Sequence, residues 1–447
     1  MNNAFDTYVS KNLSPSASDR DFISKKYDQL KTFLLGKNIF QSGSYARFTS
    51  IAPVNDLDII WVLPKDFIAK TVKPEDLDPQ DILKDLANNL EQEYKKAGEQ
   101  VRVEPQSHSV GIYFGAKDDF SIDIVPAIPT NELNQFGDCL YLVPEVSNFS
   151  KKSRKSFYAK AKGHIKWIKT DPRGYIEVNK KLNDYNDSFR KAVKFVKGWK
   201  RNCKRANPLF PLKSFHLEMV IYNIFLINKD LTTYEAIKEF FNKLPSFIEN
   251  PSVKDRANND TYIDEYINEI DKFDKREICE LCRLACRVFA EFDSVDSNNQ
   301  ATLIIEKLIS GADTGEEFVH LRFPFADDLI DLKVHGHVQH TNTSGSFTSY
   351  YLHERANFVL GKERSISFSL GNKKLLIERF PGAILKWKVK NRIFNYSLEQ
   401  PRGEINDYST TNNPEKTSYG GQHFVDCYAI DGGKCIGFGR QYVVISI

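Results

Sequence analysis

The chain has 447 residues, and its 62 lysine and arginine residues nearly balance its 59 aspartate and glutamate residues, which leaves a formal net charge of +3. This near-neutral charge excludes a histone-like polycation that coats nucleic acid by charge alone. Hydrophobic residues make up 41% of the chain, enough to bury substantial cores, so a mainly disordered chain is excluded as well.

The N-terminal segment is polar and lacks the apolar stretch of a secretion signal. No part of the sequence has the roughly 18 consecutive apolar residues that a membrane-spanning helix requires. The 7 cysteines are sparse and odd in number, as is usual for reduced thiols in a cytosol. We therefore expect a cytoplasmic protein that does not insert into a membrane.

The first predicted elements are a helix, a strand, a second helix and a second strand. Apolar residues recur at helical spacing over residues 18–35, and Gly36 can end that helix. Strands are expected to begin at Asp56 (DLDIIWVL) and at Asp119 (DFSIDIVPAI), with a helix between them over residues 81–96.

Residues 186 to about 308 are predicted to be mainly helical, and charge is segregated in and around them. Residues 151–205 are strongly basic, whereas residues 249–274 are acidic. A basic run is usually a solvated surface, but here we favour a positive groove for a polyanion. Three aromatic residues in this run could stack bases, although the last fits a helix core better: Tyr158, Trp167 and Trp199.

After about residue 323 the sequence changes to short strands separated by turns, following a polar stretch rich in Gly, Ser and Thr. The predicted strands are SISFSL, KLLIE, ILKWKV, HFVDCYAI and YVVISI. Such a series favours an all-β sandwich or small barrel of about 110–120 residues. The sequence therefore predicts an α+β protein with a domain boundary near residue 325.

The most informative segment is GSYARFTSIAPVNDLDIIWVLP, residues 43–64. Gly43 lets the backbone approach a ligand closely, Ser44 adds a hydroxyl donor, and free N–H groups at the start of a helix bind phosphate. Asp56 and Asp58 stand two apart in a strand, so both carboxylates point to one face. Neighbouring carboxylates repel each other, and a divalent cation is the usual remedy.

A later strand repeats this arrangement with Asp123, which alternates with Ile122 and Ile124 and can face the same side as the first two aspartates. Three carboxylates from neighbouring strands are what two Mg²⁺ ions about 3.5–4 Å apart require, with Mn²⁺ as a substitute. The structural alternatives are a solvent-facing strand end for the first pair and a hydrogen-bonding role for Asp123.

A GS turn before a DxD strand, with a third aspartate on a later strand, resembles the DNA polymerase β-like nucleotidyltransferase superfamily. WIKTDPRGYIEVN, FRKAVKFVKGWK and LKSFHLE resemble segments of the bacterial cGAS/DncV-like (CD-NTase, SMODS) enzymes of antiphage signalling. ILKWKVKN, PRGEI and EKTSYGGQHFVDCYAI resemble their C-terminal AGS-C sensor domain. The resemblance implies a polymerase β-like core over residues 1–180, a helical lobe over residues 181–325 and a β-rich sensor domain over residues 326–447.

The resemblance also implies roles for individual residues. In that family a lysine of the basic helix and a serine of the K-S-F-x-x-E segment touch the nucleotide triphosphate, and Lys197 and Ser214 occupy those positions. The phosphate turn departs from the family at Phe48, because the family usually has R-G-T where this chain has R-F-T. The phenylalanine narrows the mouth of that turn. The implied nucleotide-binding residues are Gly43, Ser44, Lys197 and Ser214, and the implied catalytic and metal-binding residues are Asp56, Asp58 and Asp123.

The implied activity is template-independent nucleotidyl transfer from NTPs or dNTPs, which yields a cyclic or linear oligonucleotide. A separate effector protein would read this product in bacterial antiphage defence. Two alternatives stay open: transfer to an RNA 3′-end or a protein hydroxyl, and a non-catalytic nucleotide sensor. The intact aspartates argue against the sensor, since buried unpaired carboxylates are costly. Base preference, linkage and oligomeric state are left open.

Four features have plain structural interpretations. Lys197 lies in a lysine-rich helix whose lysines could simply be solvated. Ser214 could cap a helix, since Glu218 follows closely. A cysteine group recurs at one helical face, which favours a buried stripe over zinc, and a histidine group lies in or beside a strand, where we do not favour a metal. The two groups are Cys279, Cys282 and Cys286, and His335, His337 and His340.

Overall fold

The computed structural model describes most of the chain. The described residues are 1–34, 38–64, 77–115, 120–146, 165–258, 260–295, 297–311, 316–341, 345–352, 359–391, 402–407 and 414–446. They form two compact units. The first contains residues 1–198, 213–268 and 295–305, and the second contains residues 199–212, 269–294 and 306–447. The predictions for Gly36 and Tyr158 lie outside the described residues.

The first unit is built on a seven-stranded sheet. Strands β1 to β5 follow the order β1-β2-β5-β4-β3, while β6 pairs with β5 and β7. The strands are β1 (Ile39–Gln41), β2 (Asp56–Val62), β3 (Val101–Pro105), β4 (Val110–Phe114), β5 (Phe120–Leu133), β6 (Cys139–Val146) and β7 (Ile165–Thr170).

Helices begin the first unit and also follow its sheet in the sequence. The N-terminal helices are α1 (Asn2–Asn12), α2 (Ala17–Phe33), α3 (Gly43–Ala46) and α4 (Pro79–Lys96). After the sheet come α5 (Pro172–Tyr185), α6 (Ser188–Ala206), α7 (Ser214–Ile227), α8 (Thr233–Glu249), α9 (Lys272–Glu291) and α10 (Asn298–Ser310). The predictions of a helix over residues 18–35 and of another over residues 81–96 are confirmed by α2 and α4. None of the helices in the described residues is long and apolar enough to cross a membrane.

The alternation of β2 separates an apolar face from a polar one. Leu57, Ile59 and Trp61 are buried in one core together with side chains of α2, α4 and β5. Asp56 and Asp58 occupy the intervening positions and therefore lie on the opposite face. The strand is anchored by its apolar residues, and this anchoring fixes the direction in which the carboxylates point.

The second unit contains the C-terminal sheets. A four-stranded sheet has the order β10-β9-β12-β15, and a six-stranded sheet has the order β11-β17-β16-β13-β14 with β8 beside β17. Buried residues of both sheets share one core, so the predicted sandwich-like domain is confirmed. The strands are β8 (Phe325–Asp331), β9 (Val334–Thr341), β10 (Phe347–Leu352), β11 (Val359–Leu360), β12 (Ser365–Leu370), β13 (Ile384–Lys390), β14 (Ile405–Asn406), β15 (Glu415–Lys416), β16 (Gly421–Asp431) and β17 (Lys434–Ile445).

One predicted strand is wrong, because KLLIE lies within a helix, α11 (Lys373–Arg379). Its lysine, leucine, glutamate and arginine residues are strong helix formers. Only Leu376 is buried, while Leu375 and Ile377 are exposed, so the apolar run does not have the pattern of a core strand. The polar stretch before it forms a pair of antiparallel strands, β9 and β10, that the composition did not predict.

A buried ionic cluster lies in the second unit. Asp426 on β16 accepts two hydrogen bonds from Arg440 on β17, at 2.6 and 2.9 Å. Lys388 on β13 lies 3.5 Å from the same carboxylate and 3.1 Å from Glu316. Since an unpaired buried charge is costly, these residues stabilise one another and fix the register of three strands.

Candidate active site

The phosphate turn, residues 43–49, is packed directly against Asp58. The backbone N–H of Ser42 donates to the carbonyl oxygen of Asp58 at 2.8 Å, which ties the turn to β2. Gly43 has φ +63°, and a Cβ atom there would lie 1.6 Å from Oδ2 of Asp58. Only glycine fits this position, both because of its backbone conformation and because the carboxylate takes the space.

The structure brings the three predicted catalytic aspartates together. Strands β2 and β5 are parallel neighbours, and their register places Asp58 directly opposite Asp123. Asp56 lies two residues before Asp58 on the same face. The expected geometry of three carboxylates on one side of adjacent strands is therefore present.

Burial and repulsion between carboxylates raise the pKa values of Asp58 and Asp123. Burial, followed by the charge of Asp56, raises the pKa of Asp58 to about 6, while Arg47 and Lys197 act in the opposite direction. Burial and then the charges of Asp58 and Asp56 raise the pKa of Asp123 to about 6. A site that holds like charges this close favours a proton or a cation among them.

The donor set fits a divalent metal ion. Carboxylate oxygens are the ligands that Mg²⁺ and Mn²⁺ prefer, and a cation would relieve the repulsion that raises the two pKa values. Within the described residues, no three histidine, cysteine, aspartate or glutamate side chains already surround one point as metal ligands. The fit therefore rests on the chemistry and common face of the aspartates.

One oxygen of Asp123 is held by a residue that the sequence analysis did not identify. Nε2 of Gln106 lies 3.0 Å from Oδ1 of Asp123 and 2.9 Å from the hydroxyl of Tyr113. The hydroxyl of Ser109 donates to Oε1 of Gln106 at 3.2 Å. The β3–β4 hairpin, which carries these groups, thus orients the third aspartate. No pattern in the sequence distinguished Gln106 from other surface amides.

Glu218 is the centre of a buried ionic network. Its carboxylate accepts hydrogen bonds from Nε of Arg47 at 2.5 Å, Nζ of Lys197 at 2.6 Å and Oγ1 of Thr49 at 2.9 Å. Lys197 also donates to the carbonyl oxygen of Thr49 at 3.1 Å. Burial alone would raise the pKa of Glu218, but the charges of Arg47 and Lys197 outweigh it and lower this pKa to about 2. The network joins the phosphate turn to α6 and α7.

This network bears on two predictions about the nucleotide-binding residues. Lys197 is buried and bonded to protein groups rather than solvated, so the solvated-lysine alternative is wrong. Ser214 is the first residue of α7, whose N-cap is Lys213, and Glu218 is bonded to the turn. The alternative in which Ser214 caps the helix with Glu218 is therefore wrong as well. Contact of Lys197 or Ser214 with a nucleotide stays a prediction.

Helix α6 carries a group of neighbouring cations, Arg190, Lys194 and Lys197. Burial, followed by the charges of Arg190, Arg20 and Lys197, lowers the pKa of Lys194 to about 8. Its ammonium donates to the hydroxyl of Ser14 at 3.1 Å, and no carboxylate pairs with it among the described residues. Lys197 is paired with Glu218, whereas Lys194 has no such partner in the described part of the chain, and an unpaired ammonium is suited to an anion.

Two family models match the chain, at its two ends. Residues 1–183 match the Second Messenger Oligonucleotide or Dinucleotide Synthetase domain, SMODS. Residues 313–446 match the Adenylyl/Guanylyl and SMODS C-terminal sensor domain, AGS_C. The N-terminal part of the chain is thus similar to a second-messenger synthetase domain, and the C-terminal part to the sensor domain that accompanies it. These two matches confirm the resemblance identified from the sequence motifs.

Two relatives match about half of this chain. A cyclic AMP-AMP-AMP synthase of Escherichia coli (strain MS 115-1) is 25% identical over 211 residues, which is 47% of this chain and 57% of the relative. A probable cyclic nucleotide synthase of Bacillus cereus (strain VD146) is 24% identical over 266 residues, which is 50% of this chain and 71% of the relative. The chain thus spans little more than half the length of the first relative.

Solved structures show the same fold. The structure of E. coli MS115-1 CdnC with ATP superimposes with a TM-score of 0.51 at 16% identity, and covers 70% of this chain and 98% of that chain. The CdnC:HORMA-deltaN complex gives a TM-score of 0.51 at 17% identity, and covers 70% of this chain and 97% of that chain. These matches show that the chain has the predicted α+β fold.

Other residues singled out in the sequence have structural surroundings of their own. Trp199 is fully buried against Phe210, so its predicted core role is confirmed and base stacking by it is wrong. Trp167 donates its indole N–H to the carbonyl oxygen of Leu77 at 2.8 Å. The three cysteines lie on α9, and the three histidines lie on β9 with His340 on the opposite face from the other two. No metal cluster forms from either group within the described ranges.

The raised pKa of Asp58 predicts that Asp58→Asn stabilises the metal-free protein. The pKa of Asp58 in the folded protein is about 6, above the usual 3.9. Ionisation of Asp58 therefore lowers the free energy of unfolding as pH rises from about 4 to above 6. The gain from the neutral amide should be near zero below pH 4 and reach about 1–3 kcal/mol above pH 6. Urea unfolding at several pH values, in the presence of chelator, measures it. A variant that is less stable than the wild type at pH 7.5 would contradict this explanation.

The network around Glu218 predicts the opposite sign for Glu218→Gln. This change leaves Arg47 and Lys197 buried without a carboxylate, at a cost of about 3–5 kcal/mol. The matched control is Glu378→Gln on the exposed face of α11, where we expect a change of at most about 0.5 kcal/mol. Urea unfolding of both variants tests the claim, and equal effects would show that the buried network is not stabilising.

Proposed function

We propose that the chain is a metal-dependent nucleotidyltransferase that joins nucleotides without a template into a cyclic or linear oligonucleotide signal. The observation that carries the proposal is the placement of Asp58 directly opposite Asp123 on adjacent parallel strands, beside a glycine turn that packs on Asp58. Carboxylates, a phosphate turn and cations within one unit are the parts that nucleotidyl transfer requires.

The phosphate chain of a donor NTP or dNTP would lie between the turn and the cations of α6. Gly43 and Ser44 offer a close backbone and a hydroxyl, and Lys194 offers an ammonium without a carboxylate partner among the described residues. Arg190 and Lys197 lie close enough to lower the pKa of Lys194, so the positive field extends along the helix. Such a field compensates the charge of a triphosphate.

In the reaction, a 3′-hydroxyl of one nucleotide attacks the α-phosphorus of another. A new P–O bond forms, the bond between the α-phosphorus and the bridging oxygen breaks, and pyrophosphate leaves with the electron pair. The hydroxyl proton passes to a carboxylate oxygen of Asp123, which lies on the strand next to the one that carries Asp56 and Asp58.

Asp56, Asp58 and Asp123 would hold divalent metal, which we propose to be two Mg²⁺ ions with Mn²⁺ as a substitute. When bound, these ions supply Lewis-acid stabilisation of the charge on the phosphate and the leaving group. Gln106 keeps the third carboxylate oriented through its hydrogen bond to Oδ1. Removal of that amide would loosen the position of Asp123 without removing a metal ligand.

The relatives support an oligonucleotide product. One is named for the synthesis of cyclic AMP-AMP-AMP, and the other is described as a probable cyclic nucleotide synthase. By the same reasoning we propose a cytoplasmic role in bacterial antiphage defence, with a separate effector protein that reads the product. Within the chain, we propose the core at residues 1–180, a helical lobe at residues 181–325 and a sensor domain at residues 326–447.

Incubation of the full chain with radiolabelled NTPs or dNTPs and Mg²⁺ tests the proposal. We expect a phosphatase-resistant small product from the wild type, at least about 10³-fold less from Asp56→Ala, and none after chelation. Label on added tRNA or on protein instead would favour the alternative acceptors. Absence of any labelled product, with Asp56→Ala identical to wild type, would overturn the proposal.

Lys194 gives a second, independent prediction for the nucleotide site. Loss of one charged contact to phosphate costs about 1.5–3 kcal/mol, so Lys194→Ala should raise KM for the nucleotide by roughly 10-fold or more with little change in kcat. The matched control on the same helix is Lys191→Ala, because Lys191 pairs with Asp6 and Asp187 at 2.9 and 2.8 Å. We expect this control to keep the wild-type KM.

The pH dependence of KM separates a charge effect from a structural one. With a pKa of about 8, Lys194 loses its charge as pH rises from 7 to 9, so the wild-type KM should rise over that range. Lys194→Arg keeps its charge and should flatten the profile. A profile that is the same in wild type and Lys194→Arg would exclude Lys194 from the phosphate site.

A further inference from the structure

Phe48 occupies a backbone position that favours glycine. It follows the short helix α3 and has φ +59°, in the left-handed region. A bulky residue in this region is destabilised by roughly 1 kcal/mol or more relative to glycine, and helices commonly end with glycine at such a position. The backbone of the turn therefore gives no reason for a phenylalanine.

Packing gives no reason for it either. The residue is 64% exposed, so the side chain gains little from burial in a core. A ring that gains little from burial does not offset the cost of an unfavourable backbone conformation, which points to a role outside folding.

The residues on both sides of Phe48 are fixed by the Glu218 network. Arg47 and Thr49 both donate to the carboxylate of Glu218, at 2.5 and 2.9 Å. The backbone N–H of Thr49 also donates to the carbonyl oxygen of Ser44 at 2.9 Å, which closes the turn. The ring is therefore presented from a rigid base, and little conformational entropy of the backbone is lost when a ligand binds.

A guanidinium group lies over the ring. Cζ of Arg190, on α6, is 4.8 Å from the centroid of Phe48. Nε of Arg190 is buried and has no hydrogen-bond partner among the described residues. A guanidinium plane beside an aromatic ring is a surface on which nucleobases stack, and a polar nitrogen without a partner can bond to the edge of a base.

The turn that carries Phe48 also packs against one of the catalytic carboxylates. Gly43, at the start of the turn, contacts Asp58, and Arg47, beside Phe48, lies near enough to lower the pKa of Asp58. A nucleotide whose phosphates occupy the start of the turn would have its base near the end of the turn. We propose that Phe48 and Arg190 form a stacking platform for the nucleobase of a nucleotide bound at the aspartate site.

This inference rests on the proposed function, and it names a residue that selects for a complete nucleotide over a bare polyphosphate. One base stacked on an aromatic side chain contributes about 1–3 kcal/mol, which corresponds to about a 5- to 150-fold change in affinity. The contribution is lost when the ring is removed, while the contacts to phosphate persist. The platform therefore increases the binding affinity for ATP and GTP but not for inorganic tripolyphosphate.

Isothermal titration of the full chain with ATP, GTP and tripolyphosphate tests the platform, together with thermal unfolding. For Phe48→Gly we expect nucleotide affinity to fall 5- to 150-fold, tripolyphosphate affinity to stay the same, and the unfolding midpoint to rise because glycine suits the left-handed backbone. A structural role for the ring would instead lower the midpoint. Phe347→Ala, on the similarly exposed Phe347 of β10, is the control and should leave nucleotide affinity unchanged.

Phe48→Trp gives a spectroscopic measure of stacking. Its tryptophan emission should be quenched by ATP and not by tripolyphosphate, and its ATP affinity should be at least that of wild type. Wild-type nucleotide affinity in Phe48→Gly, or emission of Phe48→Trp that saturating ATP leaves unchanged, would overturn the platform alone. A wild-type chain that binds neither ATP nor tripolyphosphate would overturn the proposed function and the platform with it.

Discussion

Electrostatic repulsion between the neighbouring carboxylates of Asp58 and Asp123 is the constraint on which the site depends. Two carboxylates directly opposite each other on paired strands repel, and nothing in their own chemistry would bring them together. The apolar side chains between them hold the strands in place: Leu57 and Ile59 on β2 and Ile122 on β5 are fully buried. Burial of each contributes about 1.5–3 kcal/mol, enough to maintain a charge cluster that destabilises the free protein.

The Glu218 network makes the short phosphate turn rigid. The phosphate turn has too few residues to build a core of its own, and α3 contains only 4 residues with no buried side chain. Charged hydrogen bonds in a buried setting replace that missing core, because breaking any of them leaves an unpaired charge away from water. The turn consequently takes its order from α6 and α7 rather than from its own sequence.

Much of this site could be predicted from the sequence, because it depends on local spacing. Alternation in DLDIIWVL and FSIDIV is enough to place the aspartates on one face. The partners of Glu218 could not be predicted, since a glutamate that is the fifth residue of a strongly apolar helix looks like a cap residue until its distant neighbours are known. Gln106 and Arg190 were missed for the same reason.

The wrong prediction of a strand at KLLIE had a different cause. A short apolar run fits a strand and a helix equally well, and only tertiary burial decides between them.

The pairing of β2 with β5 also has a consequence for how the site comes into existence. The two strands are parallel, so they cannot form a hairpin, and the intervening α4, β3 and β4 must be accommodated before they meet. Contacts between distant parts of a chain form late and slowly during folding. On a ribosome, a nascent chain that already contains Asp56 and Asp58 lacks the third aspartate of the site until β5 has emerged and paired with β2. The proposed aspartate site is therefore complete only after β5 has paired with β2.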